Sequence, residues 1–312
     1  MSVGRQSATA FAPASVGNVA VGFDILGFSL DALGDRVTAT RSGGEGVSIT
    51  AIRGVAEDLP LEAAKNTAGR AVEALCEAAQ PVFGIALEIE KGIPLGSGLG
   101  GSASSAVAAV VAANALLEQP FVELDLLKFA MRGEAVASGA LHVDNVAPSL
   151  FGGLVLTVGV DHPRVKRIPV PAAIRAVVVH PRMFLATKEA RALLNRHVDM
   201  SDFVWQTANL AGFISGCYTD DLEMIRESFE DVVIERQRQS LIPGFAETRA
   251  AAMAAGALGC SISGAGPTMF AWALADQADA VRDAMIASFA ARELETDAWV
   301  TEIAPGGARL VS

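Results

Sequence analysis

The stretch that most restricts how this chain can fold is PLGSGLGGSASS, Pro94–Ser105, which runs straight into AVAAVVAANALL. Four glycines, Gly96, Gly98, Gly100 and Gly101, strip side chains from a turn, and the Ser and Ala residues behind them open a helix. A helix apolar on every side has no face to give to water, so it must be buried. The run Ala106–Leu117, broken only by Asn114, is too short for the about 20 residues of a bilayer crossing. No continuous apolar core follows Arg5, so no signal peptide is expected.

A glycine-rich turn opening a helix gathers free backbone N–H groups at the positive end of a helix dipole, which is what a polyphosphate needs. Pro94, Leu95, Gly96, Ser97, Gly98, Leu99, Gly100, Gly101, Ser102, Ala103 and Ser104 are therefore the expected nucleotide site. Ser97, Ser102, Ser104 and Ser105 offer hydroxyls for phosphate oxygens or a magnesium ion. A tight turn packed on a sheet, without ligand, accounts for the same residues. No Lys-Ser or Lys-Thr follows the glycines, which excludes a Walker A loop, and GSGLGG lacks the dinucleotide spacing.

Acidic side chains outnumber basic ones 35 to 24, a net charge of −11, which argues against a nucleic-acid partner. At 312 residues, 51% of them apolar, the chain has material for two packed domains or one large one. Cys76, Cys217 and Cys260 lack metal-ligand spacing and read as inert core thiols in a reducing cytoplasm.

Short apolar or alternating runs predict strands at Ala8–Ala12, Val19–Phe23, Val37–Arg41, Val47–Ile52, Phe83–Ile89 and Gly152–Val158. Helices are expected from an Asn66 cap to Gln80 and over Leu124–Ala137. The charged, Pro-rich segment Asp161–Pro171 marks a boundary, dividing the chain into 1–165 and 166–312. Beyond it, strands are expected at Ile174–Val179, Leu258–Ser263, Thr268–Leu274 and Ala298–Ile303. Helices are expected at Lys188–Leu194, Ser201–Gly216, Gly244–Ala255 and Ala278–Ala290. Strands interleaved with helices in both halves mean α+β or α/β, with one sheet in each half.

Three segments in order carry a family resemblance: FAPASVGNVAVGFDILGFSL (Phe11–Leu30), the glycine-rich loop, and GCSISGAGPTMFA (Gly259–Ala271). Together they resemble the three motifs of the GHMP kinases and span nearly the whole chain. Asn18, Phe23-Asp24, HVDNVAPSLFGG (His142–Gly153), TKEAR (Thr187–Arg191) and ERQRQSLIPGF (Glu235–Phe245) are similar to the homoserine kinase branch of that family. No lysine stands in the first motif, unlike the sugar and mevalonate branches. The resemblance implies a two-domain α+β fold. Its N-terminal domain would be like the second domain of ribosomal protein S5, and its C-terminal domain ferredoxin-like.

It also implies a cytoplasmic ATP- and Mg²⁺-dependent enzyme of threonine biosynthesis, acting on L-homoserine, with neither nucleic acid nor membrane as partner and a homodimer as the family expectation. The alternatives are a kinase of another small alcohol and a nucleotide-binding relative without turnover. Homoserine is a zwitterion with a terminal hydroxyl, and two guanidiniums suit its carboxylate because their planar forks match it.

By resemblance the residues in those roles are Arg191 and Arg238, with Asp24 for the ammonium and Asn18 and Thr187 as further substrate contacts. On spacing alone both arginines also fit a solvated helix face, Asp24 a turn, and Thr187 a helix cap. Asp144 and Asn145 are implied at the reaction centre, where mevalonate-type kinases carry an aspartate at the Asn145 position. Glu134 with Ser102 is implied as the magnesium side; Ser102 is the hydroxyl nearest to Gly101, where many relatives carry serine. Asn66 is implied on the adenine side, although a helix cap accounts for it equally.

Overall fold

In a computed structural model that describes residues 5–195, 197–303 and 306–311, the chain folds as two α+β halves, each built on one sheet. The first half runs β1 (Ser7–Gly17), β2 (Leu26–Ser42), β3 (Val47–Gly54), α1 (Thr67–Ala79), β4 (Gly84–Lys91), α2 (Gly101–Asn114), α3 (Glu123–Ser138), α4 (Val146–Phe151), β5 (Leu154–Val158) and β6 (Arg164–Ile168). The second runs β7 (Ile174–Pro181), α5 (Thr187–Ala192), α6 (Met200–Thr219), α7 (Leu222–Glu227), α8 (Glu235–Arg238), α9 (Phe245–Ala254), β8 (Gly259–Ile262), β9 (Met269–Leu274), α10 (Ala278–Ala290), β10 (Thr296–Thr301) and a last short strand β11 (Arg309–Val311).

The second sheet has the order β10-β7-β9-β8, antiparallel throughout, and its chain path strand–helices–strand–strand–helix–strand is the ferredoxin-like arrangement. The first sheet has seven strands, with β11-β1-β2-β4-β3 in order and β5 and β6 added on β2. Only β3 and β4 run parallel among these pairs. β6 lies inside the segment expected as a linker, because its exposed Arg164, Lys166 and Arg167 suit a sheet edge, where charge discourages pairing with other chains. The first sheet thus runs past residue 165 to Ile168, and its outer strand β11 comes from the far end of the chain.

Small side chains let α2 sit in the middle. From Ala103 to Ala113 nearly every residue is buried, against α1, α3 and the sheet. A second apolar cluster joins the halves. Phe28 of β2 meets Phe270 and Trp272 of β9 edge to face, with ring centroids 5.5 and 6.0 Å apart, and Phe213 of α6 closes on Trp272 at 5.0 Å. A third cluster lies between the second sheet and α9 and α10. Because the seam is packed with aromatic rings, a site built across it is held rigidly. Among the described residues no helix is long and apolar enough to cross a membrane.

The expected strand Val19–Phe23 does not form. Asn18, Val19 and Ala20 all take left-handed backbone angles (φ 71°, 44° and 57°), as does Asp24 (φ 62°). The Asn18 carbonyl accepts the Gly22 N–H at 2.8 Å and its side-chain oxygen accepts the Asp24 N–H at 3.1 Å. These bonds close a turn that alternation in the sequence does not disclose. Val19, Ala20 and Val21 are apolar because they plug the seam between the halves. Residues without glycine's freedom in that region are strained, and such strain gathers at functional sites.

Candidate active site

A cleft of about 510 Å³ opens between the two halves, and the residues expected to carry chemistry lie along it. One end is the glycine-rich loop. Its four consecutive carbonyls from Gly96 to Leu99 are all taken by other segments. Leu185 N–H donates to Gly96 (3.2 Å), and the Thr268 hydroxyl and N–H donate to Ser97 (2.5 and 3.2 Å). Ser263 Oγ donates to Gly98 (2.7 Å), and Ser15 N–H to Leu99 (3.1 Å). With these carbonyls committed, the loop can turn N–H groups toward the cleft, joined by those of the first turn of α2. Gly96, Gly98 and Gly100 all have positive φ.

Pro94 to Gly98 and Gly100 to Ser102 line the cleft. Leu99, Ala103 and Ser104 do not: all three are fully buried. Ser104 Oγ donates to the Ala12 carbonyl at 2.7 Å and accepts the Asp35 N–H at 3.1 Å, so the hydroxyl expected for phosphate ties the helix to the sheet instead. Asn66 also lines the cleft, but its side chain caps α1, accepting from Ala68 and Gly69 N–H, and donates to the Pro60 carbonyl at 3.0 Å.

Gly98 has a different reason to be glycine from the one its sequence suggests. A Cβ there would stand 2.6 Å from the Ser263 carbonyl oxygen and 2.7 Å from that of Gly266, so it meets the third motif before any ligand. Gly98→Val is therefore expected to abolish ATP binding and also to lower the thermal midpoint, because the loop must leave its second-half partners. Calorimetric ATP titration with a thermal melt checks both; unchanged ATP affinity in the folded variant would remove the loop assignment.

At the other end are the arginines. Arg191, on α5, makes a bidentate pair with Asp24, Nη2 to Oδ1 at 2.7 Å and Nη1 to Oδ2 at 3.1 Å. Arg238, on α8, is buried, with Nη1 donating to the Gly264 carbonyl at 3.0 Å and Nε to the Ala190 carbonyl at 3.4 Å. Both guanidiniums stand over Phe23, at 5.3 and 5.2 Å from its ring centroid. Two arginines, 47 positions apart in sequence, thus converge on one ring. Asn18 joins the third motif through Nδ2 to Gly264 O at 2.8 Å. Burial pushes the His142 imidazole pKa down; the ring lies 3.6 Å from Asp24 and 3.4 Å from Arg191. Thr187 is the first residue of α5 and lines the cleft, but Ala186 occupies the cap position, so Thr187 does not cap the helix.

Between the two ends lie the carboxylates. Asp144, 5% exposed, is pushed up to about 7 by burial and then by the negative charge of Asp24. Asn145 donates to Asp144 Oδ2 at 3.1 Å and accepts from Ser15 Oγ at 2.9 Å, joining this part of the cleft to β1. Glu134, on α3, is likewise raised to about 7, chiefly by burial, while a hydrogen bond from Ser102 opposes the rise. Buried acids with raised pKa values in one cleft are a feature common at functional sites.

Sequence reasoning missed Lys91 and Asp35, which lie beneath the loop, and Phe184 and Lys188, which line the cleft. Nothing local singles them out: Lys91 ends an ordinary alternating strand, and Asp35 follows a glycine like any turn residue.

The family model described as "GHMP kinases N terminal domain" matches residues 66–153, and that described as "GHMP kinases C terminal" matches 213–291. A homoserine kinase of Xanthomonas campestris pv. campestris (strain B100) is 49% identical over 310 residues, covering 99% of this chain and 95% of that protein. The crystal structure of homoserine kinase from Cytophaga hutchinsonii superimposes with a TM-score of 0.95 at 42% identity, covering 98% of both chains. Lactococcus lactis galactokinase shares the fold alone, at 14% identity and a TM-score of 0.71. Matched in both halves by the family and over nearly its full length by these relatives, the chain belongs to the GHMP kinase family, in its homoserine kinase branch.

Proposed function

We propose that this chain transfers the γ-phosphoryl group of ATP to the side-chain hydroxyl of L-homoserine, giving O-phospho-L-homoserine for threonine biosynthesis. The observation that carries the proposal is the two-ended cleft: an N–H cradle for a polyphosphate at one end, and Arg191, Arg238 and Asp24 at the other. An α-amino acid zwitterion brings its own pair of charges. It can replace the Arg191–Asp24 pair with two pairs of its own, carboxylate on the arginines and ammonium on Asp24, so that no buried charge is stranded. Asn18 and Thr187 add polar contacts beside it. The distance along the cleft between the two ends is left for the reacting hydroxyl, beside Asp144 and Asn145.

Phosphoryl transfer has a loose transition state, so alignment and charge neutralisation supply most of the acceleration. The loop holds the phosphates, the arginines hold the acceptor, and Asn145, fixed by Ser15, orients the hydroxyl. Asp144, held near neutrality by burial, takes the proton as the hydroxyl oxygen attacks. Glu134 and Ser102 would hold a hard divalent ion, since both offer oxygen and the cation would itself favour the ionised carboxylate that burial alone disfavours. Bound with the nucleotide, Mg²⁺ supplies neutralising charge to the phosphates.

A coupled ADP-release assay with L-homoserine, D-homoserine, L-serine and mevalonate tests the reading. L-homoserine is expected to be the best acceptor and mevalonate to give no turnover, because it has no ammonium for Asp24. Preference for mevalonate, or ADP release indifferent to the acceptor, overturns it.

A further inference from the structure

Beneath the glycine-rich loop lies a buried charge pair whose lysine, with Ser105, also borders the cleft. Lys91 closes β4 and is 3% exposed; Asp35, within β2, is fully buried. Every donor of the lysine is used: Nζ donates to the Asp35 carboxylate, to the Gly101 carbonyl at 2.8 Å and to Ser105 Oγ at 2.8 Å. Ser105 Oγ in turn donates to Asp35 Oδ2 at 2.6 Å, and Asp35 Oδ1 accepts the N–H groups of Gly92 at 2.9 Å and Ile93 at 3.3 Å.

Buried ion pairs are poor devices for stability alone, because apolar residues of the same volume serve as well or better. What sets this one apart is where its hydrogen bonds go. Gly92 and Ile93 are the two residues on which the chain leaves β4 for the loop, and Gly101 and Ser105 are in the first turns of α2, where the loop ends. One pair therefore grips both ends of the loop. We infer that Lys91 and Asp35, bridged by Ser105, are positioning residues that hold the start of α2 at a set distance from the end of β4, so that the N–H cradle keeps its shape. The inference rests on the reading of the loop as the ATP site. The lysine acts through the Gly101 carbonyl and not by touching phosphate, because its three donors are already committed.

The test compares wild type, Lys91→Met, Asp35→Asn, the double variant and Ser105→Ala, with MgATP titrated calorimetrically and KM measured for both substrates. Ser105→Ala removes the bridge without stranding a charge, so it reports even where a single charge variant fails to fold. Lys91→Met and Asp35→Asn are each expected to raise the ATP KM about tenfold or more, as befits lost bonds to charged groups. The double variant should be no worse than the weaker single one, Ser105→Ala should show a smaller loss, and the homoserine KM should hold throughout. If Lys91→Met weakens ATP while Asp35→Asn leaves or improves it, the lysine is a direct phosphate ligand and the inference falls. If folded variants bind ATP like wild type, or move both KM values alike, the pair is structural only and the inference falls. Wild type that does not bind ATP at all overturns the nucleotide reading itself, an outcome distinct from either.

Discussion

Arg238→Ala is expected to raise the homoserine KM by roughly 10–150-fold, since a hydrogen bond to a charged group contributes about 1.5–3 kcal/mol and about 1.4 kcal/mol is a decade. Arg191→Ala is expected in the same range. Arg238 should be the costlier loss. It is the more deeply buried of the two, and carbonyls of Gly264 and Ala190 already fix its direction, so the carboxylate meets a preset donor. Arg191 is a third exposed, and its loss also frees Asp24, leaving that carboxylate without its bidentate partner. The ATP KM should stay nearly constant in both variants, because the loop lies at the opposite end of the cleft. Lysine at either position should rescue only partly, as a point charge does not reproduce the planar fork. Homoserinol, which lacks the carboxylate, is the control: a poor substrate for wild type, it should lose little more in the variants. Equal losses for homoserine and homoserinol would show that the arginines support the fold rather than hold the carboxylate.

Asp144→Asn is expected to lower kcat by about 10²–10⁴-fold, the usual range for lost general-base help, with the ATP KM spared. The sign with pH follows from burial. The wild-type carboxyl, pushed up to about 7, is a base only when ionised, so kcat should climb as pH rises through that value. The variant should lose that acidic limb; a drop of less than tenfold with the limb intact would mean that alignment alone carries the reaction.

Stability gives an independent reading. A carboxyl whose pKa rises on folding favours the folded state only while protonated, and that contribution disappears as pH climbs from the unfolded value near 4 to about 7. Above pH 7 the ionised wild type carries a penalty on the order of 4 kcal/mol that asparagine cannot incur. Asp144→Asn should therefore melt higher than wild type at pH 8, with the difference vanishing below pH 4. A reactive group that lowers stability is the usual pattern of an active site.

How much of the fold and the site is legible in the amino-acid sequence depends on distance along the chain. The loop, the helix behind it and the Asn66 cap are readable because the turn, the dipole and the cap hydrogen bonds all arise within a few residues. The β8–β9 pair and its glycine-rich turn are readable for the same reason. Val19–Phe23 misleads, because apolar residues that plug a seam between halves look like a strand, and only the Asn18 hydrogen bonds decide otherwise.

The candidate residues emerge mostly through resemblance, and their grouping is not in the spacing. Arg191 and Arg238 look like ordinary helix charges until both stand over Phe23. Ser104 and Ser102 are equivalent hydroxyls in the sequence, yet packing turns one to the sheet and leaves the other beside Glu134 in the cleft. The pKa values of Asp144 and Glu134, the partners of the loop carbonyls and the Lys91–Asp35 pair exist only once β2, β4, α2 and the third motif are brought together. Thus the amino-acid order by itself determined most of the local elements, the glycine-rich turn and the interleaving of strands and helices in both halves, because short-range geometry sets backbone preference and binary pattern. Only the tertiary structure decided which charges meet and which are buried, because desolvation and the direction of a hydrogen bond depend on neighbours that lie far off in the chain.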